Sequence, residues 1–352
     1  MSPSSFKKLY GMLRPRLHKP SRSRGMTRNG PIHPGMALLG CLRWLAGGSI
    51  HEVRRVVGCS RSAAFALVGA VLDAINECRR LRVRWPRTAE ERWKVAAGFR
   101  EKSLKYILRR CLGAVDGITV RMKKPGKREH VCPDRFYSAT RSVSGSTCRC
   151  AICDSNFVFT AVSINLPASM NDRTAWRTSG FAALAASLPG KFYLIGDAAY
   201  PSSNKVLVPF PGSRMPDQPH KDAFNYFQSS ARMAIEQAFG IMVKRWGIQW
   251  RPLSVPLVHT TRVLHAVVRL HNFVRLEQDD APDIPGQPAM TESNTLEDEA
   301  WATPAVGGSG AGASSVARNE VLRYITRKNL RRPDHNIARN NAQNAQGATP
   351  QA

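Results

Sequence analysis

The chain is short of acid. Its 352 residues hold 25 Asp and Glu against 52 Lys and Arg, a formal charge of +27. That imbalance favours a polyanionic partner, and nucleic acid is the first candidate. Long apolar runs are missing too. No uncharged stretch approaches the roughly 18 residues of a membrane-spanning helix, so the chain reads as soluble, with no membrane partner. No secretory signal is visible. Paired CxxC knuckles are absent, and the eight cysteines lack the even framework of a small secreted domain. His130, Cys132, Cys148, Cys150 and Cys153 lie close in sequence. Cys148 and Cys150 fall two apart along a strand-like stretch, however, and buried thiols are the better reading than a zinc site. No repeat of fixed period appears.

What is present divides into segments. Residues 1–35 carry eight Lys and Arg and no acid among Ser, Pro and Gly, the composition of a basic disordered arm suited to phosphate contacts. A mitochondrial presequence shares that composition, but prolines 15, 20, 31 and 34 argue against an amphipathic helix. Residues 36–85 read as helical. Ser49 and Glu52 open "SIHEVRRVVG" as a capping box, and Gly58 stops it. In the next helix Ala64, Leu67, Val68, Val71, Leu72 and Ile75 recur at helical spacing. A short helix, a tight turn and a longer helix suggest a helix-turn-helix offering Ser60, Arg61 and Ser62 to DNA, with an ordinary helical hairpin as the alternative. Residues 86–112 read as a charged helical connector. Beyond Leu276, residues 277–300 hold eight acids and no Lys or Arg. A Gly/Ser linker and the basic patch "RYITRKNLRRP" follow, so 277–352 reads as an acidic, then basic, low-complexity tail in which the basic patch forms one helix.

Between these lies residues 113–276, where the period changes to that of an α/β domain. "LGAVDGITVRM", "FVFTAVSINL" and "KFYLIGDAAY" read as strands. "TAWRTSGFAALAASL" reads as a helix, and a strong helix covers about 222–246. Three acids interrupt these patterns. Asp116 falls inside an apolar strand, Asp197 where a buried strand stops, and Glu236 in a helix. A buried charge costs several kcal/mol unless it is paired or binds a cation. Converging carboxylates answer that by binding hard cations such as Mg²⁺ or Mn²⁺, the arrangement of two-metal nucleases. Each also has an ordinary explanation: Asp116 and Asp197 as turn caps, Glu236 as a partner of Arg232 one turn earlier.

"GAVDGITVRMKKP", "SMNDRTAWRTSG", "LIGDAAYP", "FNYFQSSARMAIEQAFGIMVKRW" and "LHNFV" stand in that order. The series resembles the motifs of PIF/Harbinger-type DDE transposases and the nucleases domesticated from them, over roughly residues 37–276. The resemblance implies an RNase H-like mixed sheet flanked by helices, with Asp116, Asp197 and Glu236 as catalytic and metal-holding residues. It also implies two Mg²⁺ or Mn²⁺ ions, double-stranded transposon-end DNA as substrate, a separate Myb-like DNA-binding partner protein and a nuclear location. A homo-oligomer is compatible with it. Lys244 and Arg245, about two helical turns past Glu236, are candidates for contacts to phosphates flanking the cut. The rival reading keeps the fold and the DNA binding but not the catalysis: a relic or domesticated regulator.

Overall fold

The computed structural model describes residues 1–17, 31–124, 126–127, 136, 146–167, 169–170, 172–212, 215–278 and 315–333. Their centre is a five-stranded mixed sheet in the order β3-β2-β1-β4-β5. The strands are β1 (Cys111–Arg121), β2 (Ser146–Cys153), β3 (Phe159–Pro167), β4 (Tyr193–Ile195) and β5 (Val206–Leu207). β1 to β3 form an antiparallel meander, while β4 and β5 run parallel to β1. Helices flank this sheet, an α/β fold consistent with the RNase H-like architecture expected from the sequence.

The faces of β1 explain where its acid points. Past the irregularity between Cys111 and Ala114, Ala114 and Ile118 pack with Ile235, Ala238 and Phe239 of the helix α8 (Pro219–Arg245), whereas Val115 packs in a second core with Leu194 and Trp176. Strand side chains alternate, so Asp116 shares the Ala114 and Ile118 face, turned to α8. The single helix expected over "TAWRTSGFAALAASL" is two, α6 (Asp172–Thr178) and α7 (Phe181–Ala186), broken at Gly180 with its φ of +80°.

Ahead of the sheet, α1 (Pro3–Leu17), α2 (Pro34–Leu45), α3 (Ile50–Val57) and α4 (Arg61–Glu77) pack into a helical unit, followed by α5 (Ala89–Lys102). The expected disordered arm is corrected over its first half. Leu9, Leu13 and Leu17 recur at i, i+4 and i+8, and all three are buried. That stripe supplies the packing that makes a helix stable. Pro15 sits in the last turn, where its missing N–H removes at most one helical bond. Residues 18–30 of the arm lie outside the described residues. The connector is also more than a solvated face, since α5 carries a complete Thr88–Glu91 capping box and buries Ala96 and Phe99.

The C-terminal pair of helices closes the molecule. α9 (Leu257–Leu276) buries eleven residues and joins the helical unit to the sheet. Asn76 Nδ2 donates to the Arg262 carbonyl at 2.9 Å, and Arg262 pairs with Asp73 and reaches the Gly69 carbonyl. The basic patch of the tail belongs to α10 (Val316–Arg327), which buries Ala317, Val321 and Ile325 in the main core. Residues 279–314, which hold most of the expected acidic segment, and residues 334–352 lie outside the described residues. Among the described residues no single helix is long and apolar enough to cross a membrane.

Candidate active site

Two parallel strands bring the first two acids together where β4 ends, beside the middle of β1. Ala114 of β1 is in register with Ile195 of β4, and two residues further along each chain come Asp116 and Asp197. β4 stops at Ile195, so Asp197 stands in the turn just past the strand. Its Oδ1 accepts the Ala199 N–H at 3.0 Å, which fixes the turn in the manner expected of a cap. Gly196 is confined in front of it: a Cβ there would lie 3.1 Å from both the Tyr200 ring and Val115. A larger residue there would require the Tyr200 ring or Val115 to give way by a few tenths of an ångström.

The helix α8 supplies the rest along one face. Gln228, Arg232 and Glu236 follow one another at i, i+4 and i+8, which stacks them on one side of the helix. Gln228 is buried, and its Nε2 donates to the Gly196 carbonyl at 2.7 Å and the Leu207 carbonyl at 3.2 Å. It ties α8 to the ends of β4 and β5, beside the bond from the Gly196 N–H to the Leu207 carbonyl at 3.1 Å. One turn on, Arg232 Nη1 lies 3.3 Å from Asp116 Oδ2 and 2.5 Å from Glu236 Oε1. The ordinary pairing expected of Glu236 is therefore present, and it extends to Asp116.

Asp116 carries the electrostatic signature of this cluster. Its side chain is 20% exposed, and its Oδ1 accepts the Gly117 N–H at 2.7 Å. Burial pushes its carboxyl up to about 7, against the Arg232 guanidinium, while Asp197 and Glu236 add to the push and the Gly117 N–H opposes it. Both other acids are thus near enough to be felt, and burial outweighs the Arg232 guanidinium. The donor set is three carboxylates, which suits Mg²⁺ or Mn²⁺ over softer ions. Among the described residues no three His, Cys, Asp or Glu side chains stand at the spacing of a single ion site. The donors thus fit a divalent ion in kind, with Arg232 occupying the space between two of them.

The "LHNFV" motif acts at the far edge of the sheet. Asn272 accepts the Phe159 N–H at 2.8 Å through Oδ1 and donates to the Phe159 carbonyl at 2.7 Å through Nδ2. It pairs with an edge strand as another strand would. His271 Nε2 lies 2.8 Å from the Phe157 carbonyl, at 1% exposure. These residues hold the scaffold rather than the carboxylate end.

The DNA-contact candidates sit elsewhere. α3 and α4 meet at 95°, within the range of helix-turn-helix pairs. Ser49 caps α3 by accepting the Glu52 N–H at 3.2 Å, but the Glu52 carboxylate turns to Arg43 at 2.7 Å instead of closing the box. Ser60 caps α4 through the Ala63 N–H, and Arg61 and Ser62 are exposed, with Arg61 5.9 Å over the exposed Phe65 ring. Lys244 is exposed at the end of α8 and Arg245 is half-buried beside it.

The cysteines behave as core. Cys41, Cys111, Cys150 and Cys153 are buried. Burial pushes the Cys41 and Cys111 thiols up to about 12 and Cys153 well up, so they stay protonated. His130 and Cys132 lie outside the described residues.

From the sequence Arg232 enters only as an ordinary partner of Glu236, and Gln228 does not enter at all. The i, i+4, i+8 spacing of polar residues on an otherwise core-facing helix was the available signal. Residues 115–272 match the family described as DDE superfamily endonuclease, a span that contains all three carboxylates. No curated protein and no solved structure matches the chain significantly.

Proposed function

We propose that the protein is a metal-dependent DNA endonuclease of the PIF/Harbinger transposase type, which cleaves phosphodiester bonds and transfers DNA strands. The observation that carries this reading is the place just past β4 where β1 and α8 face each other and Asp116 senses the charges of Asp197 and Glu236. The match to DDE superfamily endonucleases supports the reaction class, and the ordered motifs from "GAVDGITVRMKKP" to "LHNFV" support the Harbinger subtype.

Asp116, Asp197 and Glu236 would hold two Mg²⁺ or Mn²⁺ ions. When bound, such ions supply water activation and stabilisation of the leaving oxygen. The chain's own residues prepare that chemistry. Gln228 fixes α8 against the strand ends, Gly196 lets the Asp197 turn sit close, and Arg232 balances two acids until a cation replaces it. Hydrolysis frees a 3′-hydroxyl, whose attack on a second phosphodiester is strand transfer. The unit of α3 and α4 would recognise transposon-end DNA through Ser60, Arg61 and Ser62, and Lys244 and Arg245 would meet flanking phosphates. A Myb-like partner protein and a nuclear location belong to the same proposal.

One observation favours a second reading. Arg232 satisfies both Asp116 and Glu236 without any metal, as it would in a non-catalytic DNA-binding protein that keeps the fold. The two readings separate in a plasmid-nicking assay with Mn²⁺, comparing the wild type with Asp197→Asn. Nicking by the wild type alone is expected. Equal nicking by both, or by neither, leaves the DNA-binding reading. Replacing Arg61 by Ala should weaken binding to cognate ends while sparing metal-dependent nicking of non-specific DNA, and unchanged cognate affinity would return α3 and α4 to a plain hairpin.

A further inference from the structure

A second surface lies at the opposite end of the parallel strands. α5, the lead into β1, the start of β4 and α10 enclose an open cleft of about 1030 Å³. Arg110 at its floor is six residues before Asp116, about 20 Å at the rise of a strand. The cleft is therefore distinct from the carboxylate end.

Its chemistry is cationic and aromatic together. Arg100, Arg109, Arg110, Lys191, Arg323 and Arg327 line it against two acids, Glu101 and Glu320. Glu320 is shared between Arg110 at 3.2 Å and Lys191 at 3.5 Å. Tyr324 is flanked by two guanidiniums, Arg109 at 4.5 Å and Arg327 at 5.8 Å from its ring centre. Two further rings stand open to solvent, Trp93 at 53% and Tyr106 at 59% exposure.

The presentation of Tyr106 is bought with backbone strain. Lys105 and Tyr106 have φ of 61° and 54°, consecutive side-chain-bearing residues in the left-handed region. The Tyr324 hydroxyl donates to the Lys105 carbonyl at 3.4 Å, which ties α10 to this turn. The turn leads Ile107 and Leu108 into the core, yet it leaves the Tyr106 ring in water, and such outliers concentrate where a ligand is met.

We infer that this cleft binds single-stranded nucleic acid, with Tyr106 and Trp93 stacking on unpaired bases and the surrounding arginines meeting the phosphates. A duplex keeps its bases stacked on one another and would offer this surface only phosphates, leaving both exposed rings without a role. An acidic peptide would likewise meet the arginines and not the rings. The inference stands whether or not the carboxylate end cuts DNA.

The test uses the full chain, without metal, and fluorescence anisotropy with three probes: an oligothymidylate, a hairpin duplex of the same nucleotide count, and a peptide of residues 279–300. Tyr106→Asn removes the ring and substitutes a residue that tolerates the left-handed conformation, so the fold is not at risk. It should weaken oligothymidylate binding about tenfold or more and change duplex binding less than about twofold, while Tyr106→Trp retains wild-type affinity. Arg323→Glu should weaken the same probe and lower the slope of log affinity against log salt. The inference is overturned if Tyr106→Asn binds oligothymidylate as the wild type does, or if the peptide binds and the oligonucleotide does not. It is overturned equally if ring and charge variants lose duplex and single strand in the same proportion.

Discussion

Arg232 bridges two carboxylates that come from different elements, Asp116 of β1 at 3.3 Å and Glu236 of its own helix at 2.5 Å. With the side chains of Arg232 and Asp116 each about one-fifth exposed, the pairing is sheltered enough to matter. Removing the guanidinium leaves like charges facing each other in a pocket that already resists ionisation. Arg232→Met should therefore cost the metal-free protein about 2–3 kcal/mol. Added Mg²⁺ should stabilise the variant more than the wild type, because in the variant no resident cation has to leave. Urea denaturation in chelator and in Mg²⁺ checks both statements, and equal stability of the two proteins in chelator would contradict the first.

The raised carboxyl of Asp116 sets a pH dependence. A folded value of about 7 above the ordinary 3.8 means that the folded state binds the extra proton between these limits. Metal-free stability should thus fall as pH rises from about 4 to about 7 and level off above, by up to about 4 kcal/mol from this group. Asp116→Asn removes the dependence, so the variant should be more stable than the wild type at pH 8 and not at pH 4. Denaturation in chelator at both pH values decides it. Divalent ions compete with the same proton, so the Tm rise on adding Mg²⁺ should be larger at pH 8 than at pH 6.

Much of this arrangement was legible because it is local. The Ser49 cap and Gly58 stop of α3, the core stripe of α4 and the position of Asp197 just past a buried strand all follow from spacing within a few residues. What escaped depends on partners far apart in sequence. The leucines of α1 were hidden by the basic composition around them, and the stripe has meaning only once α4 is there to cover it. β5 is two residues long and exists only because β4 pairs with it. The bridge from Arg232 to Asp116 joins residues 116 positions apart, which no periodicity records. The helix expected of the basic patch is there, but that Ala317, Val321 and Ile325 dock on the main core is again a matter of partners far away in sequence.

Gln228 offers a test of how the site is held. It satisfies two buried carbonyls, those of Gly196 and Leu207, at the point where β4 and β5 end. Gln228→Leu keeps the bulk but leaves the Gly196 carbonyl without its donor, while the Leu207 carbonyl keeps the Gly196 N–H at 3.1 Å, at a cost of about 1–3 kcal/mol. Because Gly196 precedes Asp197 directly, metal-dependent nicking should fall by more than the folded fraction accounts for. Nicking per folded molecule equal to wild type would mean that the strand end holds its position without α8.

The acidic segment can be argued from charge alone. Glu277 is part of the fold, paired with Lys8 at 2.6 Å, whereas residues 279–300, outside the described residues, carry seven acids and no Lys or Arg. They are tethered between α9 and α10, on a chain whose formal charge is +27. At physiological salt the Debye length is about 8 Å, so these acids are attracted to cations of the body that DNA also seeks. Changing the seven to Asn or Gln keeps the tether length and removes only the charge. Non-specific DNA affinity should then rise at low salt and change little at high salt, where the competing attraction is screened. The gain should be modest, since exposed pairs contribute at most about 1 kcal/mol each. Titration of a labelled duplex at two salt concentrations measures it. An affinity at low salt that does not move on neutralisation would make the segment a spacer and nothing more.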